Sequence, residues 1–232
     1  TVNGYDATET EMRKTLGYLP EESPLYDEMT PMSYLHFFAS LYDVERERAT
    51  ERIESALDRL DLDERDRQVG DFSKGMKRKV AIARSLVNDP DVLVYDEPAS
   101  GLDPATTHTV VEFTRELASR GKTVIFSAHD LYHVESVCDR VAIMNDGVIA
   151  AKGTLDGIRD RHGTVEYAVF TDVPLDDARR FDDRWRTDVE TMDEVEDVRE
   201  RANAADGSVV DIRTRESSLE ELFLEITATG DP

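Results

Sequence analysis

The sequence predicts an α/β fold: a mostly parallel sheet covered by helices, followed by a smaller α+β region. Three observations carry this expectation. Two short, wholly apolar runs, VLVY at 92–95 and VIF at 124–126, fit strands, the first of them central and buried. Segments with helical spacing of apolar residues alternate with them, as parallel strands joined by crossover helices require. From about residue 163 the pattern changes to VEYAVF, an acidic stretch, SVVDIRT and the amphipathic SLEELFLEI, which reads as a separate α+β appendage.

In chain order, LGYL at 16–19 is a short strand stopped by Pro20. MSYLHFFASLYD and ATERIESALDRLDL have helical periodicity. A third helix follows FSKGM, with Ser73 as its N-cap. The strand VLVY precedes a helix that Pro104 opens and Gly121 closes. The strand VIF precedes a helix over LYHVESVCD, where Cys138 shares a spacing with Val134 and Val137 and is expected in the core. RVAIMNDGVIAAKG reads as two strands joined at Asn145-Asp146-Gly147. The acidic stretch from about 172 to 205 is expected to be a solvated surface.

Hydrophobic residues make up 39% of the 232, enough for a core. The 51 acids against 28 bases give a formal charge of -23, and such a surface repels DNA and anionic lipid, so no nucleic-acid partner is expected. Only six of the 28 bases are Lys, the composition of a salt-adapted (halophile) surface, whose self-repulsion molar salt screens. One cysteine allows no internal disulfide.

The chemistry gathers at strand ends. After VLVY come Asp96 and Glu97. Asp96 stands where one carboxylate, phosphate oxygens and waters can hold a magnesium ion. Glu97, one residue on, points elsewhere and suits orienting or deprotonating a water. VIFSAH ends at His129 much as VLVYDE ends at Glu97. Neighbouring parallel strands would bring the imidazole to the same edge, within reach of a terminal phosphate or the attacking water. Lys74, Lys77, Arg78, Lys79 and Arg84 form a cationic island in an acidic chain, starting at a helix N-terminus. An anion held there by Ser73, the Gly75 backbone and free N–H groups would offset the unfavourable placing of cations.

These features resemble the ATP-binding cassette (ABC) ATPase family, with order and spacing in agreement over about residues 1–160. VLVYDEPASGLDP is similar to the Walker B strand, catalytic glutamate and D-loop, FSKGM to the LSGGQ signature, SAHD to the switch-histidine motif and GYLPEE to the Q-loop. The helices over about 30–88 resemble the helical subdomain, and residues 163–232 would be a C-terminal accessory domain. The resemblance implies a P-loop NTPase-like cassette with ATP and Mg2+ as ligands. It assigns Asp96 to the metal, Glu97 to the hydrolytic water and His129 to the γ-phosphate. Ser73, Lys74 and Gly75 would meet nucleotide held by a partner cassette, Asp103 would communicate across that dimer, and Glu21 would stand at the Q-loop position. The implied partners are a second cassette and a membrane permease subunit, with the chain peripheral at the cytoplasmic face of the membrane. The tail SSLEELFLEIT resembles extensions of drug-, sodium- or ABC-2-type exporters.

Three departures stand out. Lys74 and Met76 replace the usual Gly and Gln of the signature, and Glu21 replaces the Q-loop glutamine, so no amide can donate there. The third is the P-loop, G-x-x-x-x-G-K-[ST], whose backbone cradles phosphates. The one GKT, Gly121 to Thr123, follows a helix and precedes a strand, the reverse of the required order. The chain begins TVNGYD with about twenty residues before Glu21, so the expectation is a cassette lacking its N-terminal portion. A non-catalytic interaction module and a non-transport ABC protein are the alternative readings.

Overall fold

The computed structural model describes residues 1–6 and 8–228. The chain divides into two compact units, Thr1–Val137 and Cys138–Pro232. The hairpin within 141–153 therefore groups with the second unit, whereas the sequence expectation drew its boundary near residue 160.

In the first unit, α1 (Thr10–Lys14) leads into β1 (Leu16–Leu19), followed by α2 (Pro31–Leu41), α3 (Arg46–Arg59) and, after a 3-10 turn, α4 (Lys74–Arg84). Then come β2 (Val92–Tyr95), α5 (Pro104–Ser119), β3 (Thr123–Phe126) and α6 (Leu131–Val137). The three strands are parallel in the order β1-β2-β3. They end flush, with Leu19, Tyr95 and Phe126 in register. β2, the most apolar, is central.

Local chemistry sets the helix limits. Thr30, Ser73 and Asp103 each accept from the backbone N–H three residues on, and Pro31 and Pro104 occupy first-turn positions where no N–H is needed. Asp43 and Asp61 directly follow the C-caps of α2 and α3 at φ of 55° and 51°, left-handed residues in place of the more usual glycine, and Asp89 adopts φ 55° in the turn before β2. Leu35, Ile53, Leu57, Ile82, Leu93 and Tyr95 meet in one core, each fully buried. Burial of such a side chain stabilises by about 1.5–3 kcal/mol. The Tyr95 hydroxyl is paired with Ser85 Oγ at 3.0 Å, and burial pushes its pKa far up.

In the second unit, β4 (Val141–Asn145) and β5 (Val148–Gly153) form an antiparallel hairpin. Asp146 and Gly147 turn at φ 48° and 79°, both left-handed as the Asn-Asp-Gly signal requires. After α7 (Leu155–His162) comes a four-stranded antiparallel sheet, β7-β8-β6-β9, built from β6 (Val165–Thr171), β7 (Arg179–Phe181), β8 (Arg184–Val189) and β9 (Val209–Glu216). α8 (Met192–Ala204) packs Val195 and Val198 on Val169 at one face of this sheet, and α9 (Leu219–Ala228) ends the described chain. On the other face Phe170 lies under the guanidinium groups of Arg184 and Arg213, each 5.0 Å from the ring centroid.

Two expectations need correction. The acidic stretch is not a bare solvated surface, since it contains β7, β8 and α8, the last opened by a Thr191–Glu194 capping box. Cys138 follows the end of α6 and is half-buried rather than core, with burial and the nearby Asp139 raising its thiol to about 11. Such a thiol stays protonated near neutral pH.

Candidate functional site at the carboxyl edge of the parallel sheet

Because β1, β2 and β3 end in register, the residues just beyond them are neighbours. The Asp96 N–H donates to the Leu19 carbonyl at 2.8 Å, and the Ser127 N–H to the Tyr95 carbonyl at 3.0 Å. This carries Pro20 and Glu21, Asp96 and Glu97, and Ser127 to His129 to one edge, where open parallel sheets place their active groups.

The Ser127 hydroxyl joins the two acids. It donates to Asp96 Oδ1 at 2.7 Å and accepts the Glu97 N–H at 3.0 Å. His129 Nε2 lies 3.5 Å from Glu97 Oε1. The Glu97 side chain is only 12% exposed, while that of His129 is 94% exposed and free to reach a ligand. Glu97 is also strained, at φ 47°. The other described non-glycine residues at positive φ are all Asn or Asp, which tolerate this region. A glutamate there costs about 1–2 kcal/mol. Such strain persists only where surrounding contacts over-determine it.

One of those contacts is Arg78, which sequence reasoning took as part of the cationic island. It is 8% exposed. Its Nε donates to the Pro98 carbonyl at 2.8 Å and its Nη1 to those of Pro20 and Glu21 at 2.7 and 3.0 Å. Its Nη2 donates to the carbonyls of Asp96 and Glu97 at 2.8 and 2.7 Å. Burial lowers its pKa, opposed by Asp96, Glu21, Glu97 and Tyr95 in that order.

The island itself is largely committed elsewhere. Lys77 pairs with Asp27 at 3.1 Å, Lys79 donates to the Asp61 carbonyl, and Arg84 donates to Tyr34 Oη while stacking on Phe38. Of these bases, only Lys74 has no partner among the described residues. Of the cationic island, Lys74 alone is left beside the α4 N-terminus where Ser73 and Gly75 were expected to hold an anion.

The remaining candidates meet where α4 and α5 begin. Ser73 Oγ accepts the Met76 N–H at 3.2 Å. A Cβ on Gly75 would stand 3.0 Å from the Thr106 methyl and 3.1 Å from its hydroxyl oxygen, so a larger residue would require Thr106 to give way. Thr106 donates from its N–H and hydroxyl to Asp103 at 3.0 and 2.7 Å. These bonds hold the Asp103 carboxyl below its ordinary pKa. Within this chain Asp103 is thus a helix cap.

Sequence reasoning missed two residues of the edge, and each had a visible signal. Ser127 directly follows a strand, as Asp96 does. Arg78 lies on one helical stripe with Gly75 and Ile82, both buried.

The donor set fits the ligands that the resemblance implies. Asp96 offers one hard carboxylate. A magnesium ion held there would complete its shell with phosphate oxygens and waters. No P-loop sequence occurs in the 232 residues.

Residues 1–100 match the ABC transporter family model. "ABC transporter ATP-binding protein NatA" of Bacillus subtilis is 38% identical over 162 residues, 68% of this chain and 66% of that protein. "Nod factor export ATP-binding protein I" of Rhizobium sp. is 33% identical over 224 residues, 93% of this chain and 73% of that protein. A solved "ATP binding subunit of ABC transporter" superposes with a TM-score of 0.59 at 34% identity, covering 65% of this chain and 63% of its own. Several relatives are longer, since the chain spans 66%, 45% and 47% of three of them. The motifs, the parallel-sheet fold and a relative covered over most of its length agree: the chain belongs to the ATP-binding proteins of the ABC transporter family.

Proposed function

We propose that this chain supplies the hydrolytic edge of an ATP-hydrolysing ABC transporter subunit that powers a membrane permease, working as an exporter. The observation that carries the reading is the linkage Asp96–Ser127–Glu97, with His129 at 3.5 Å, at three flush strand ends. Glu97, nearly enclosed, orients a water and accepts its proton. Asp96 keeps one oxygen free of Ser127 for a cation. Magnesium bound there would neutralise charge on phosphate oxygens. His129, exposed and next to Glu97, donates toward the terminal phosphate. Ser73, Lys74 and Gly75 present the α4 N-terminus to nucleotide held by a second cassette, and Glu21 stands where ligand and permease are sensed. The relative named for Nod factor export supports the direction of transport, and work with a permease would place the chain at the cytoplasmic membrane face. Residues 163–232 serve as an accessory domain.

The test compares two proteins. The 232-residue chain, which contains no P-loop, is expected to bind ATP weakly and turn it over hardly at all. The full-length natural protein assembled with its permease is expected to hydrolyse ATP. There Glu97→Gln should lower kcat by about 10²–10⁴-fold while ATP binding persists. Robust magnesium-dependent turnover by the 232-residue chain overturns the expectation that it is inactive alone, and an unchanged rate in Glu97→Gln overturns the assignment of the hydrolytic edge.

We also propose that the surface is salt-adapted, on its charge of -23 and its six lysines. At about 1 M salt the screening length falls to about 3 Å. The melting temperature should therefore rise between low and multimolar KCl; equal melting in both would sink the idea.

A further inference from the structure

We propose that Arg78 is a positioning residue for hydrolysis: its buried guanidinium, donating to five backbone carbonyls at once, locks the segment carrying Glu21 and the segment carrying Asp96 and Glu97 into one frame and so sets where the Glu97 carboxylate stands. The proposal rests on the reading of Glu97 as the water-orienting acid.

A guanidinium has five N–H donors in a planar fork and no acceptor. Arg78 uses all five, at 2.7–3.0 Å, on the carbonyls of Pro20, Glu21, Asp96, Glu97 and Pro98. None is left for an anion, so the residue is not part of a phosphate site. The acceptors belong to the turns just beyond β1 and β2, where the ladder has ended and carbonyls need other partners. Arg78 makes no direct ion pair among the described residues; carbonyl dipoles meet its buried charge by hydrogen bonds, and the nearby Asp96, Glu21 and Glu97 carboxylates favour it through space. An apolar side chain would satisfy the packing stripe of α4 but none of these carbonyls.

The consequence concentrates on Glu97. Its N–H is held by Ser127 and its C=O by Arg78 at 2.7 Å and by the Ser100 N–H at 3.2 Å, on either side of a Cα at φ 47°. These bonds over-determine a conformation that a glutamate otherwise avoids. Loss of the Arg78 donor leaves the carbonyl only the longer turn bond to Ser100, which lets the residue relax and moves the carboxylate away from His129. Because Arg78 also holds the Glu21 carbonyl, a displacement of the segment after β1 is passed to Glu97 through one rigid group.

Lysine keeps the charge at this position but offers three donors from a single point, which cannot span five carbonyls. In the full-length protein assembled with its permease, Arg78→Lys should lower kcat on the order of 10–100-fold, as ångström-scale misplacement does. The KM for ATP should stay within about twofold, because the interaction is not made to nucleotide. Ile53→Val, a buried change in α3, should leave kcat unaltered and controls for loss of stability. An Arg78→Lys protein with wild-type kcat, or with raised KM and unchanged kcat, overturns the proposal. Absence of ATP turnover in the wild-type assembly instead defeats the functional reading. Arg78 is then judged on the wild-type chain alone, by nitrogen-15 NMR of its side chain. A slowly exchanging Nε–H and hindered guanidinium rotation are expected, and a freely rotating, fast-exchanging group overturns the clamp.

Discussion

The two units use the same side chains in opposite ways. In Thr1–Val137 an arginine is turned inward. Arg78 is buried beneath the strand ends, and all its donors go to backbone. In Cys138–Pro232 no described arginine is buried; several pair with acids at the surface, as in Arg179–Asp188, Arg199–Glu196 and Arg201–Asp177, while Arg159, half-buried, and Arg161, exposed, also reach backbone carbonyls. The backbones differ likewise. The second unit's positive-φ non-glycine residues are Asp146, Asp182 and Asp206, all turn formers, whereas the first unit contains the strained Glu97. A buried charge and a strained glutamate each cost free energy, and both sit at the edge where chemistry is proposed. Surface pairs cost little and fix little. Function in this chain is thus marked by where the fold departs from the cheapest arrangement, not by where charge is densest.

The sharpest way to break that comparison is one substitution made in both cores. Leu93 and Leu222 are both fully buried. Leu93 is central in β2, between two strands and under a continuous layer that includes Leu19, Tyr95 and Ile82. Leu222 lies on α9, with Phe223 and Leu224 exposed beside it, so its helix can shift to fill a cavity. Leu→Ala costs about 2–5 kcal/mol, more where the site cannot collapse. Leu93→Ala should fall near the top of that range and Leu222→Ala near the bottom, measured by urea unfolding. Equal losses would show that the two cores are equally rigid.

The sequence made the main architecture readable because its signals were local. VLVY and VIF are uninterrupted apolar strands, Pro104 and Ser73 mark helix starts, and Asn145-Asp146-Gly147 marks a turn. Asp96, Glu97 and His129 were legible because strand ends in a parallel sheet share an edge. Less visible was whatever depended on partners distant in sequence. Ser127 gains its role only when β3 lies beside β2, 31 residues from Asp96. Arg78 looked like one more base beside three lysines, and only its alignment with Gly75 and Ile82 hinted at burial. β7 and β8 were hidden by charge. Yet Trp185, Thr187 and Val189 alternate with Arg184, Arg186 and Asp188, a period-two pattern in an acidic setting. Left-handed Asp43 and Asp61 at the ends of α2 and α3 also obscured stops that glycine would have announced.

The smallest expected effect tests the outward half of the comparison. Arg201 meets both oxygens of Asp177, at 2.9 and 3.0 Å, with the side chains 44% and 49% exposed. The hydrogen bond from Arg201 holds the Asp177 carboxyl below its usual 3.8. A carboxylate with a depressed folded pKa adds stability above its unfolded value and loses it as pH falls through the folded value. Solvent screening limits that contribution to about 1 kcal/mol at most. Arg201→Ala should therefore destabilise by about 0.5 kcal/mol at neutral pH and low salt. The difference from wild type should shrink as pH falls from about 4 through the folded pKa, and should also fade in molar KCl. Urea titrations of both proteins over this range supply the measurement. A loss of several kcal/mol that persists in acid and in high salt would mean that this pair, like Arg78, holds backbone in place, and the contrast between the two units would fail.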